Sequence, residues 1–416
     1  RTWIIFRWGD FKNSSRSIIL KGKGKITIVS SANPINLPQT ASNPNNYEPG
    51  ASGSKMKILV IALSGIGDAL MFSPSLVKLA EEFPRARIDA LVMYKGVRDI
   101  YSNYPQFSWI HYFDFINSPA FNSLKFVLGL RRKYDITINV YPANRKEYNL
   151  ISWLIGAKRR AAVRYLRRDF VELGFLNNVR VRENDSFHNV KENLLLCEKL
   201  SGIVSGPEIS LQMIFKDEDI DYARNFLAGQ SIRAGDLVIG FHPGCSALKN
   251  HDKRRWEKSK FSALARKLID DHGTKILIFG GNDEEYLKNS IVTEVNSPNV
   301  IPVVTANLIQ TAAVMRRCNL FVTNDSSLMH VASALKLKIV AIIGPTNKNY
   351  IHPWQTDYQI VSLNLECSPC FHYSPKPLNC SRTDLKFKCI KDLSVDRVYE
   401  IVSGRIKQIV ENSRID

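Results

Sequence analysis

The chain has 416 residues, 44% of them apolar and 23% charged, and 57 Lys/Arg against 39 Asp/Glu leave a net charge of +18. At roughly 150 residues per domain this points to two or three globular domains, and the composition excludes a wholly disordered chain, a collagen and a disulfide miniprotein. The positive balance favours anionic partners, whether nucleic acid, an acidic membrane surface or a phosphorylated glycolipid, without choosing among them.

Residues 1–55 read as a polar, basic, disordered extension. They hold eight Lys/Arg against Asp10 and Glu48, and SANPINLPQTASNPNNYEPGASGS (31–54) has the composition of a loop. An alternative is a membrane-surface anchor through Trp3, Phe6 and Trp8. The first 30 residues show no long apolar core with a small-residue cleavage site. No apolar run approaches the ~20 residues of a membrane span. A reducing, cytoplasmic location is expected, with peripheral contact at the inner face of the cytoplasmic membrane as an extension of it.

From Met56 onward strand and helix alternate. KILVIAL (57–63) is an unbroken apolar run, as in a strand covered on both faces. A helical face of Phe72, Leu76, Leu79, Ala80 and Phe83 follows. Further strands are predicted at 87–92, 109–114 and 135–141, with helices near 120–132, 146–155 and 188–201. A second cycle starts at DLVIGF (236–241), with strands at 274–279, 299–303, 319–323 and 338–343 and helices near 258–271, 283–295, 307–316 and 326–336. The fold class is therefore α/β, with two doubly wound, Rossmann-like domains facing a cleft. The first domain is placed at 56–215 and the second at 216–392. A terminal segment, 393–416, carries a helix with Val395, Val398, Ile401, Ile406 and Ile409 on its apolar face.

Ligands of open α/β sheets bind beyond the carboxyl ends of strands, so the loops there carry the candidate chemistry. SGIGD (64–68) offers Gly65 and Gly67 for close backbone approach. Asp68 is either a helix N-cap or a base kept ionised by the helix dipole. HPGCSALKNHDKRRW (242–256) pairs the turn residue Gly244 with Lys249, Lys253, Arg254 and Arg255, cations suited to a departing diphosphate. IFGGNDEE (278–285) reads as a glycine turn before a capped helix, or as a nucleotide turn with a carboxylate for ribose hydroxyls. TNDSSLMHVASAL (323–335) puts Asp325 and Ser326 at a helix start, with His330 one turn on.

The segment TNDSSLMHVASALKLKIVAIIGPT (323–346) resembles the strongest motif of glycosyltransferase family 9, the ADP-heptose:lipopolysaccharide heptosyltransferases. IGDALMFSP (66–74), HPG…KRRW…F (242–261), FGGNDEE (279–285) and LIQTAAVMRRC (308–318) resemble the same family in the same order. The resemblance spans roughly 56–400. It implies a GT-B fold with an N-terminal acceptor domain and a C-terminal donor domain. It also implies inverting, metal-independent transfer from ADP-heptose to a lipopolysaccharide core or a related anionic glycolipid. By that resemblance Asp68 matches the catalytic base, and Lys253 or Arg254 the donor-phosphate contact, lysine being usual two residues before the tryptophan. Glu284 matches the ribose acid, and Asp325, Ser326 and His330 the nucleotide-phosphate loop. Gly65, Gly67, His242, Gly244, Gly280, Asn324 and Ser327 complete the implied donor site. Ser327 stands where glycine is common, so a positive φ there would be strained. Competing readings are a UDP- or GDP-sugar transferase or an epimerase of the same fold, and a non-catalytic basic protein binding nucleic acid or envelope components.

Two features lie outside those motifs. Cys367, Cys370, Cys380 and Cys389 form C-x2-C-x9-C-x8-C, which reads as a structural zinc site or as reduced thiols. GAKRRAAVRYLRR (156–168) carries six Lys/Arg. It is a solvated face, or a surface that meets the phosphates and acidic sugars of the acceptor through Arg164, Arg167 and Arg168. Aromatic residues are few there, so no nucleic-acid partner is expected.

Overall fold

The computed structural model describes residues 55–204, 209–373 and 376–412, together with the backbone of three short strands in the segment before them. These are β1 (Ile4–Trp8), β2 (Arg16–Lys21) and β3 (Lys25–Ile26), an antiparallel sheet in that order. They fall in the segment read from the sequence as a polar, basic, disordered extension, at short runs rich in isoleucine. The rest of that expectation, the anchor reading included, lies outside the described residues.

The first large sheet is built from β4 (Lys57–Ala62), β5 (Arg87–Val92), β6 (Trp109–Tyr112), β7 (Ile136–Asn139), β8 (Arg159–Arg164) and β9 (Val179–Arg182). Its order is β6-β5-β4-β7-β8-β9, parallel throughout. The second comprises β10 (Val238–His242), β11 (Lys275–Ile278), β12 (Val300–Pro302), β13 (Leu320–Asn324), β14 (Ile339–Ile342) and β15 (Tyr358–Val361). Its order is β12-β11-β10-β13-β14-β15, again parallel. Each half therefore winds outward in both directions from its first strand. The strand order reverses beside β4 and beside β10, and ligands gather at such switch points. The central strands are buried along their length, as continuous apolar runs require when helices cover both faces.

Strands β8, β9 and β15 depart from the sequence reading. The stretch RRAAVR buries Ala161, Ala162 and Val163 while its arginines sit at the ends, so charge masked a strand inside the basic segment. Between the two halves lies the helix Asp217–Gly229, which the sequence reading did not place. The terminal helix, Val395–Asn412, buries Val398, Val402, Ile406 and Ile409 in the core that holds Ile239 and Val322 of the second sheet.

One apolar core joins the two halves. It includes Leu70 and Phe72 from the first and Leu328 and Met329 from the second. Asn347 donates from its side chain to the Asp185 carbonyl at 2.9 Å, and the His188 ring stacks on Trp354 with centroids 4.6 Å apart. Across the join, Gly67 lies so near His330 that a Cβ there would come within 2.6 Å of the imidazole. Here a glycine is needed for close approach.

Candidate active site

The loops after β4, β10 and β13 line one cleft of about 820 Å³ between the two halves. Asp68 stands on its first-domain wall, in the opening turn of the helix Ile66–Met71. The Gly65 amide donates to Asp68 Oδ2 at 3.0 Å. Burial nevertheless raises the carboxyl from 3.8 to about 7; the Gly65 amide, Arg254 and Lys249 offset this only in part, and Asp325 adds to it. A fully ionised Asp68 at neutral pH, expected from the helix dipole, is therefore corrected. Desolvation outweighs the dipole of a single short helix.

His242, at the end of β10, is buried and bridges two loops. Its Nδ1 lies 2.8 Å from Ser326 Oγ and its Nε2 3.0 Å from Glu284 Oε2. The Gly281 amide also donates to Glu284 Oε2 at 3.2 Å, and Arg255 is 3.6 Å from Oε1. Burial works to raise the Glu284 carboxyl, but His242, the Gly281 amide and Arg255 together bring it down to about 2. Gly244 passes directly under this carboxylate, and a Cβ there would fall 2.0 Å from Oε1. Gly280 lies on the other side, where a Cβ would be 3.1 Å from Oε2. Because Glu284 is anchored on both oxygens, it cannot swing aside at little cost. Gly244→Ala is expected to destabilise the fold by about 1–3 kcal/mol and to raise donor KM more than it lowers kcat. Thermal melts and initial rates check both.

Asn324 lies outside the cleft wall. Its side chain donates to the Pro243 carbonyl at 2.8 Å and accepts from the Trp256 amide at 3.0 Å, stapling the β10 and β13 loops together. Ser326 spends its hydroxyl on His242 and does not cap the helix Ser327–Ala334, which opens on the cleft. That helix end is a site for negative charge. Ser327 starts the helix without a positive φ, so serine costs no backbone strain there.

Of the two candidate phosphate cations, the structure brings Arg254 to the cleft and leaves Lys253 half-exposed on Asp252 at 3.2 Å. Arg254 Nη1 donates to Asp325 Oδ2 at 2.6 Å, and Thr346 Oγ1 donates to the same oxygen at 2.6 Å. Burial opposes the guanidinium charge, but Asp325, Cys245 and Tyr373 together outweigh it and hold the pKa above its usual value. Arg254 Nε, His251 Nε2 and His330 Nδ1 are buried polar atoms without a hydrogen-bond partner, and all three residues line the cleft. Lining a cleft, these three are free to bond to a ligand. Burial lowers His330 to about 4, so its ring is neutral.

Three further cations line the cleft: Lys249 in the β10 loop, one of the cations read from the sequence as suited to a diphosphate, and Arg145 after β7 and Lys288, which carry no assignment there. Burial, joined by Arg145, pulls Lys249 down to about 8. Lys249 and Asn250 hold left-handed φ values of 55° and 61°, a strained pair held by the carboxy-terminal tail. Leu378 N donates to the Lys249 carbonyl at 2.8 Å, and Asn250 Nδ2 donates to the Leu378 carbonyl at 3.3 Å.

Arg164, Arg167 and Arg168 are not on the cleft wall. Arg167 makes a bidentate pair with Asp185 at 2.9 and 2.7 Å, Arg168 pairs with Glu172 at 2.9 Å, and Arg164 is exposed. Cys367, Cys370, Cys380 and Cys389 are free thiols, the last two buried. Among the described residues no three His, Cys, Asp or Glu side chains are placed to hold a metal ion. Also among the described residues, no helix is long and apolar enough to cross a membrane.

Paired Rossmann-like halves around a cleft, with a carboxylate on one wall and an anion site on the other, are the GT-B architecture. Residues 123–380 match the family described as glycosyltransferase family 9 (heptosyltransferase). The chain belongs to that family. It is 26% identical to lipooligosaccharide heptosyltransferase 2 of Campylobacter jejuni, covering 86% of this chain and 100% of that one. It is also 26% identical to lipopolysaccharide heptosyltransferase 2 of Escherichia coli K12, covering 74% and 88%. The structure of E. coli ADP-heptose lps heptosyltransferase II has the same fold, with a TM-score of 0.65 at 23% identity over 85% of this chain and 99% of that chain. E. coli heptosyltransferase WaaC with ADP gives 0.58 at 18% identity over 84% and 100%.

Proposed function

We propose that this glycosyltransferase moves a heptose from ADP-heptose to a sugar hydroxyl of a lipopolysaccharide core, inverting the anomeric carbon. The observation that carries the reading is a carboxylate poised near pH 7 in the same cleft as an arginine and an open helix end. A group with that pKa is half ionised at neutral pH and strong enough as a base to help a hydroxyl attack. Asp68 takes the acceptor proton as the hydroxyl oxygen bonds to the anomeric carbon. The bond from that carbon to the diphosphate breaks, and its electron pair leaves with ADP. Arg254, Lys249 and the first amides of the helix Ser327–Ala334 stabilise the charge that develops there. Closure of the halves excludes water that would hydrolyse the donor. The relatives' names support the sugar and the acceptor, and the ADP named with WaaC supports the nucleotide. The acceptor is an anionic glycolipid, so the reaction takes place at the cytoplasmic face of the membrane that holds it.

Nucleotide selectivity tests the donor. ADP at ~100 times its Kd should add ~2.7 kcal/mol to stability, a melting shift of a few degrees for a chain of this size. UDP, GDP and NAD at the same concentration should shift it by less than a degree. A larger shift with UDP or GDP would keep the fold and reject the ADP-sugar.

A further inference from the structure

The loop 166–176, at the edge of the first sheet, exposes apolar side chains that the transfer reaction does not use. Phe170 is 77% exposed, Val171 59%, Phe175 49% and Leu166 42%. Phe170 and Phe175 lie against each other, with ring centroids 5.2 Å apart. This exposure is not slackness, because the loop is fastened from beneath. Glu172 is buried, accepts from Arg168 at 2.9 Å and from the Lys146 amide at 3.2 Å, and its own carbonyl accepts from Asn149 at 2.6 Å. The Leu166 amide donates to Glu183 at 2.8 Å, and Asp169 pairs with Arg180. Gly174 runs so close to Asp169 that a Cβ would fall 2.3 Å from its oxygen. A loop so well held presents its aromatics outward as a formed surface.

The surroundings are basic and adjoin the cleft. Residues 164–185 carry five arginines against four acids; Arg167, Arg168 and Arg180 pair with Asp185, Glu172 and Asp169, which leaves the charge of Arg164 and Arg182 to face outward. Arg164 and Arg182 are register partners at the carboxyl ends of β8 and β9, and both are exposed. Asn144, on the cleft wall, donates to the Arg167 carbonyl at 3.0 Å, and its cleft-wall neighbour Arg145 is followed by Lys146, whose amide holds Glu172. Exposed aromatics within an arginine rim match a bilayer interface bearing anionic lipid, with apolar tips among the acyl chains and guanidinium groups at the headgroups. We infer that the loop 166–176 docks the protein on an anionic bilayer, so that an acceptor still anchored by its lipid enters the cleft from the membrane side. The inference deepens the proposed glycolipid acceptor and rests on it only for its purpose. The docking is separately measurable.

The test is sedimentation of the full chain with vesicles of equal parts phosphatidylglycerol and phosphatidylethanolamine, and with vesicles of phosphatidylcholine alone. The wild type should partition onto the anionic vesicles only. Phe170→Glu with Phe175→Glu should reduce that partition at least ~10-fold, because two charges enter an apolar interface. Arg164→Ala and Arg182→Ala should each reduce it about 5-fold at low salt. Unchanged melting and ADP binding in the Glu variant would establish that its fold is intact. Undiminished vesicle binding in that intact variant overturns the inference, as does wild-type self-association that the same substitutions abolish, since the face would then be covered by a second copy. Transfer to an acceptor stripped of its acyl chains should be equal in wild type and Glu variant, while transfer to vesicle-borne acceptor should fall with partition. If the wild type transfers to neither acceptor, the proposed reaction has failed, and the sedimentation result still stands on its own.

Discussion

Asp68→Ala is expected to lower turnover by at least ~10²-fold, the lower end for lost proton transfer, with donor Kd within a few-fold of wild type. The side chain caps only the Gly65 amide at 3.0 Å and lies on the first-domain wall, across the cleft from Arg254 and Glu284, so its loss should spare the nucleotide pocket. The pH profile gives a second reading of the same group. Activity needs the ionised form, so kcat/KM should rise with pH and level off above about 7, where the carboxyl titrates. Stability should run the opposite way. Folding raises this carboxyl from 3.8 to about 7, so the folded state holds the proton more tightly. The group's contribution to stability is then full below about pH 4 and is lost as pH climbs through 7. Asp68→Asn keeps the shape and never ionises, so at pH 8 it should melt a few degrees above wild type while remaining inactive. An exchange of activity for stability of this kind marks a functional group held in an unfavourable environment. Near-normal turnover in Asp68→Ala would remove its role as base, and a lower melting point for Asp68→Asn at pH 8 would show that burial is not what sets its pKa.

The halves and their central strands were legible because they are encoded redundantly. Apolar runs such as KILVIAL and DLVIGF are long enough to exclude surface positions, and each is punctuated by a glycine loop. Strands β8 and β9 lack that signature. β9 is only partly buried, and β8 carries arginine at both ends, so its Ala-Ala-Val centre was outweighed by the charge around it. The loops after the strands bring Asp68, His242, Glu284 and Ser326 to the wall of one cleft. Arg145 was missed only because the loop after 135–141 was not read in the same way. Other features cannot be read from a local window. Asn324 as a staple, Thr346 sharing an oxygen of Asp325, and Gly244 beneath Glu284 all depend on loops that are far apart in the chain. The pKa of Asp68 is the clearest case. Its helix position argues for ionisation, while the decisive contribution is desolvation by burial in the folded chain.

Arg254→Ala should lower kcat/KM by about 10²–10³, comparable to removing one preorganised donor from a developing oxyanion. It should also destabilise the fold, because the variant leaves the buried Asp325 without its cation. Breaking such a pair from one side costs about 3–5 kcal/mol, lessened here by the Thr346 hydroxyl that stays on the same oxygen. The single variant alone would therefore confound chemistry with folding, and a second substitution separates them. Arg254→Ala with Asp325→Asn removes the stranded charge while keeping an oxygen for Thr346, and its melting point should recover most of the loss. Its activity should stay low, because nothing in the pair replaces the guanidinium at the diphosphate. Arg254→Lys tests the same point from the other side. Lysine restores the charge, and family resemblance makes it the usual residue at this position. A single ammonium cannot reproduce the fork that reaches Asp325 while leaving Nε unspent. That variant should keep activity within ~10-fold of wild type and raise donor KM rather than lower kcat. If the double variant regains turnover together with stability, Arg254 serves only to neutralise Asp325, and the diphosphate must be held by Lys249 and the helix end instead.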